Sequence, residues 1–154
     1  MLLAADRAVV VPHERHEETL IAANNYAASL TRLERFDEAK SLLRKTILAA
    51  RRVLGENNRV TLTMRKIYAK ALYRDADATL DDLREAVQTL EDTGRTARRV
   101  LGGAHPVTAW IQDDLRHTRA ALRGRDLKHR ESDRFVALLA ALVFAVGSCV
   151  MLAI

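Results

Sequence analysis

The sequence predicts an all-α fold, a short solenoid of antiparallel helix pairs followed by a C-terminal hydrophobic helix. Three observations carry this. The stretch Arg51-Arg52-Val53-Leu54-Gly55-Glu56-Asn57-Asn58-Arg59-Val60-Thr61-Leu62 returns, degraded, as Arg98-Arg99-Val100-Leu101-Gly102-Gly103-Ala104-His105-Pro106-Val107-Thr108-Ala109. A weaker copy, Val11-Pro12-His13-Glu14-Arg15-His16-Glu17-Glu18-Thr19-Leu20, stands upstream, so that Val11, Val53 and Val100 lie 42 and 47 residues apart. A period in that range marks stacked repeats. Between the copies, apolar residues recur at helical spacing. Finally, Phe135 to Ile154 is a run of 20 residues without a charge.

Each copy of the repeated stretch reads as a helix end, a short loop and a new helix start. Arg51, Arg52, Arg98 and Arg99 place positive charge in a last turn, where the helix dipole is negative. Gly55 and Gly102 follow where a helix stops in the left-handed conformation, open to glycine without strain. Asn58 is a good N-cap, with a side-chain oxygen for a free amide of the first turn. His105 stands at the same place, and Pro106 after it falls at N1, where no amide donor is needed. His16 and His105 are therefore read as structural.

In chain order, residues 1–15 read as a partial helix or cap, with Leu2, Leu3, Val9 and Val10 covering the first repeat. Residues 16–122 hold about two and a half repeats. The first pair runs from about Glu17 to Arg32 and Asp37 to Leu54, with Leu20, Ala23, Ala27, Leu30, Ala39, Leu42, Leu43, Ile47 and Ala50 facing inward. The second pair runs from Arg59 to Tyr73 and about Leu80 to Leu101, with Gly94 marking a bend. A fifth helix runs from Pro106 to about Leu122, with Trp110, Ile111 and Leu115 on its buried side. It has no complete partner, so either the chain after Gly124 folds back over it or another subunit docks there. Residues 123–134 read as a polar linker.

Composition bounds the rest. At 154 residues the chain has one domain's length, and its 49% hydrophobic content suffices for a core. The net charge of +5 lies wholly on residues 1–134, where acids and bases interleave as on solvated helix faces. Base-stacking aromatics are missing near the basic residues, so nucleic acid is not an expected partner. A single cysteine, Cys149, excludes an internal disulfide and a cysteine-rich zinc site. The start, Met1-Leu2-Leu3-Ala4-Ala5-Asp6-Arg7, does not read as a secretory signal, because Asp6 interrupts the apolar run.

Residues 135–154 would form about 30 Å of helix, enough to cross a hydrocarbon core. Lys128, Arg130 and Arg134 before it suit a cytosol-facing flank. The expectation is a tail-anchored chain with a single C-terminal span; the alternative is a buried helix capping the solenoid. Ala137, Ala141, Ala145 and Cys149 form a stripe of small residues along this helix, a candidate seam against another membrane helix.

No catalytic constellation is found, and no enzyme activity, cofactor or metal is expected. His16-Glu17-Glu18-Thr19-Leu20 begins like a zinc-protease motif, but Leu20 stands where the second histidine belongs. Phosphate loops, dinucleotide fingerprints and nucleophile elbows are absent.

The repeat resembles the kinesin-light-chain type of tetratricopeptide repeat. The resemblance rests on Thr19-Leu20, Asn24-Asn25-Tyr26-Ala27-Ala28-Ser29-Leu30, Phe36-Asp37-Glu38-Ala39, Leu42-Leu43-Arg44-Lys45 and the joint at Arg51 to Gly55, echoed by Thr61-Leu62, Tyr68-Ala69 and His105-Pro106-Val107-Thr108. Two departures stand out. Glu34 occupies the place of the family's usual inter-helix glycine, and about five extra residues lie between Arg74 and Asp81. The resemblance implies an interaction scaffold whose concave face, lined by the first helix of each pair, holds peptides or partner helices. It points to Asn24, Arg65, Lys66 and Lys70 as inward candidates, with Trp110 as a further contact at the open end. The expected partners are other proteins, either acidic peptide segments or subunits of a membrane complex.

Overall fold

The computed structural model describes the backbone of residues 12–151 and the side chains of residues 16–139. It is all helical, with α1 (Pro12–Arg32), α2 (Phe36–Val53), α3 (Arg59–Arg74), α4 (Leu80–Leu101) and α5 (Pro106–Met151). Short connections make consecutive helices antiparallel, as the cross-helix contacts show. Lys40 at the start of α2 meets Asp75 beyond the end of α3, and Glu91 of α4 meets Arg119 of α5. Each helix packs on the next; α1 also touches α3, and α3 touches α5, whereas α2 and α4 do not meet. The odd-numbered helices thus form one layer and the even-numbered ones another, with α3 at the centre.

That central place sets its burial. Leu62, Met64, Ile67, Tyr68, Ala69, Ala71 and Leu72 are all buried on α3. Opposite them stand Ala27, Ala39, Leu43, Ala50, Ala86, Leu90 and Ala97, each without exposed surface. Alanine at so many crossings lets helix axes approach closely, while each buried leucine contributes about 2 kcal/mol of transfer energy.

At both well-preserved joints a helix ends before a glycine of positive φ, but the left-handed helical conformation the sequence predicts is not kept at the second. Gly55 takes φ +87° and Gly102 φ +90°. The ψ of Gly102 is 158°, outside the left-handed helical well and in a region that is essentially glycine's alone. Asn58 Oδ1 accepts from Val60 N at 2.7 Å, and His105 Nδ1 accepts from Val107 N at 3.2 Å, so histidine caps as asparagine does. The first helix pair turns on Glu34, which has φ +61°. Arg35 N donates to Leu30 O at 2.9 Å and Glu34 N to Thr31 O at 3.4 Å, the bond pair of a Schellman stop.

Several expectations are corrected. The upstream copy is not a joint among the described residues: α1 runs unbroken from Pro12 through His16 to Arg32, and no glycine stands in that stretch to end it. Residues 1–11, expected as a cover for the first repeat, lie outside the described residues. Residues 123–134 are not a break, since α5 continues through them. Gly124 alone costs about 1 kcal/mol and cannot stop a helix that Asp126–Arg130, an i,i+4 pair at 3.1 Å, supports. The chain therefore does not fold back after Gly124. Trp110 is not buried but 56% exposed, while Ile111 beside it is fully buried. α4 runs continuously through Gly94, where a Cβ would stand 3.3 Å from Ile111 Cγ2, so the glycine also serves the approach of α5.

Among the described residues no helix is long and apolar enough to cross a membrane. The side chains of residues 140–154, most of the hydrophobic run, lie outside that description. Its described part does not cap the solenoid: Phe135, Val136, Leu138 and Leu139 are exposed.

The inserted residues form a turn between α3 and α4 that is held from both sides. Asp75 Oδ2 accepts from Lys40 Nζ at 2.9 Å, and its Oδ1 accepts from Asp77 N at 3.0 Å. Arg125 of α5 donates to Ala76 O at 3.0 Å and also to Ala78 O. Thr79 and Asp82 close a capping box at the start of α4.

Candidate functional site

The odd-numbered helices present a shallow pocket of about 320 Å³ between α1 and α3. Asn24, Ala28, Thr31 and Arg32 line it from α1, and Thr63, Lys66, Ile67, Lys70 and Arg74 from α3. These numbers recur at three- and four-residue steps, which is what puts them on one face of each helix. Four cations and no carboxylate face this space.

Lys66 ties the pocket to α5. Its Nζ sits 5.0 Å from the centroid of the Trp110 ring, a cation–π contact between helices that otherwise meet little. Burial lowers the Lys66 pKa; nearby Asp114 opposes that shift and Lys70 adds to it. A partly desolvated ammonium beside a second lysine gains more from an incoming anion than a solvated one does. Asp114, nearly buried on α5, accepts from Tyr73 Oη at 2.9 Å. Burial, with the Asp114 charge next, raises the Tyr73 phenol well above its ordinary range. Tyr73 therefore holds its proton and anchors α3 to α5.

Asn24, Lys66 and Lys70 thus share one pocket, and Trp110 joins them through Lys66. Asn24 is only partly available: its Oδ1 is buried with no hydrogen-bond partner among the described residues. Arg65 lies elsewhere. One residue along the helix from Lys66, it turns away to stand 3.8 Å from Glu56. Arg32 and Arg74 were missed, although each lies four residues beyond a pocket residue (Ala28 and Lys70) and the spacing signalled both. Of the candidate membrane seam, Ala137 is exposed, whereas Ala141, Ala145 and Cys149 lie outside the residues whose side chains are described.

Residues 19–59 match the tetratricopeptide-repeat family. The match takes in most of α1, the whole of α2 and the joint as far as the first residue of α3. No curated protein and no solved structure matches the chain.

Proposed function

We propose that the chain is a non-enzymatic interaction module whose groove along α1, α3 and α5 binds an extended acidic segment of a partner protein. The observation that carries this reading is the set Arg32, Lys66, Lys70 and Arg74 lining one pocket without a carboxylate. A tetratricopeptide repeat is generally a protein-binding element, which agrees with the match at residues 19–59. Trp110, exposed at the α5 rim, offers the flat apolar contact that interfaces favour.

The test is binding of an acidic peptide by the full chain and by its Lys66→Gln, Lys70→Gln variant. The variant should bind at least about tenfold more weakly, and salt should weaken the parent too. Equal affinity of the two proteins at low salt would place the partner elsewhere.

The second part of the reading is that residues 135–154 hold this module on a membrane, with the repeats on the cytosolic side or its equivalent. Its support is the uncharged run itself and the exposure of Phe135 to Leu139. Alkaline extraction of native membranes decides it. A related reading, an accessory subunit of a membrane complex, is favoured by one observation: among the described residues α5 packs on α4 and α3 and has no further helix of its own. A folded monomer in mild detergent speaks for the adaptor, and recovery solely in a stoichiometric complex speaks for the subunit.

A further inference from the structure

The arginines of the repeated joint have a second use. The C-terminal end of α2, the early part of α3 and the second half of α4 enclose a cleft of about 670 Å³, separate from the peptide groove. Arg51 enters it from the first joint and Arg99 from the second, joined by Arg65 and Arg95. Stacking places equivalent motifs side by side, so a feature that caps helices in the sequence becomes a cluster of cations in space. Capping explains Arg51 and Arg99, which lie in last turns or beside them. It does not explain Arg65, in the second turn of α3, or Arg95, well inside α4.

The cleft is partly organised in advance. Glu56 pairs with Arg51 and, at 3.8 Å, with Arg65, so it occupies two of the guanidiniums that an incoming anion would compete for. Arg65 keeps 17% of its side-chain exposure, against 48% for Arg51 and 73% for Arg95. Arg99 is steered by a neutral group, donating to Asn57 Oδ1 at 3.3 Å. Asp92 is engaged by Arg95 and by Gln88 Nε2 at 3.1 Å. Four guanidiniums against Glu56 and Asp92 leave two positive charges in excess, and no apolar side chain lines the space.

From this we infer that the cleft is an anion site for a phosphate monoester. A phosphomonoester carries roughly −1.5 to −2 at neutral pH, which matches the excess, whereas a carboxylate carries half of it. Cations that are all arginine suit phosphate, since each planar fork can donate two parallel hydrogen bonds. The Thr96 hydroxyl at the wall already donates to Asp92 O at 3.1 Å, so the arginines supply the donors. The ester is carried either by a phosphorylated side chain of a partner or by a free sugar phosphate; the chemistry that recognises it is the same.

The experiment titrates the full chain, in non-ionic detergent at constant ionic strength, with inorganic phosphate, a phosphoserine peptide and glucose 6-phosphate. Arginine Nε–H signals report the binding. The expected result is a saturable shift at Arg65 and Arg99 that chloride does not produce. Arg65→Gln with Arg99→Gln should weaken binding about tenfold or more. Glu56→Gln with Asp92→Asn should strengthen it, because the competing carboxylates are gone. Tighter binding of the peptide assigns the ester to a partner, and tighter binding of the sugar phosphate assigns it to a metabolite. Equal responses to phosphate and chloride would overturn the site. So would unchanged or weaker affinity in the Glu56→Gln, Asp92→Asn protein, a readout that stands even if the arginine variant fails to fold. Lys66→Gln with Lys70→Gln should leave phosphate binding intact, so loss of the groove and loss of this site can be told apart.

Discussion

Glu34 holds the backbone at φ +61° in a stop built for glycine. The Schellman bonds from Arg35 and Glu34 compensate, yet a side chain in that region costs roughly 1 kcal/mol. Replacing it by glycine removes the strain while adding chain entropy to the unfolded state. The net expectation for Glu34→Gly is a gain of about 0.5–1 kcal/mol. A thermal midpoint about 2 °C higher would show it, and a lower midpoint would mean that the side chain is needed there. Gly55 is the opposite case. A Cβ would meet nothing within 4 Å, so any penalty at that site comes from φ +87° and not from crowding. Thr61 and Thr108, at matching places in the two joints, are both buried with no partner for Oγ1 among the described residues.

At the scale of elements, the turn between α3 and α4 and the long helix α5 depend on each other. The inserted residues stay ordered because Lys40 grips the turn from α2 and Arg125 grips it from α5. Arg125→Ala should therefore loosen residues 75–79 and cost about 1 kcal/mol, the low end for charge-assisted bonds because the site is partly exposed. Faster amide exchange at the start of α4 and a lower urea midpoint are the readouts. If neither moves, the turn is held by Lys40 and the capping box without help. The same helix pair explains Gly94, whose missing side chain admits Ile111 at a distance no ordinary residue would allow without adjustment.

At the scale of the whole molecule, the five described helices stack with α3 buried at the centre and α5 packed on α4 and α3. Beyond Leu127 the described part of α5 projects with its side chains exposed, including Phe135, Val136, Leu138 and Leu139. A projecting apolar helix in water is unfavourable by about 25 cal/mol for each Å² of apolar surface, so this end needs lipid or protein around it. The prediction is that alkaline extraction leaves the full chain in the membrane pellet and that ending the chain after Arg134 releases it. Recovery of the full chain in the supernatant would mean that a protein neighbour, and not a bilayer, covers the segment.

Local chemistry determined what could be read from the chain alone. Helix period, charged last turns, Gly55, Asn58 and the His105–Pro106 pair each act within a few residues, so helices and the two joints followed from sequence. The stacked character followed too, from the repeated joint and a resemblance along roughly residues 10–122, of which residues 19–59 match the family. Continuity across residues 123–134 was misread because polarity marks solvent exposure, which a projecting helix shares with a linker. Tertiary structure alone decided how side chains from different helices meet. It brought Lys66 under Trp110 and sent Arg65 to another cleft, because neighbouring residues on a helix point about 100° apart. It also set Arg51 and Arg99 around one space, which no spacing along the chain reveals. Such meetings depend on how the helices stack, and stacking is settled by the fit of buried surfaces such as Gly94 against Ile111.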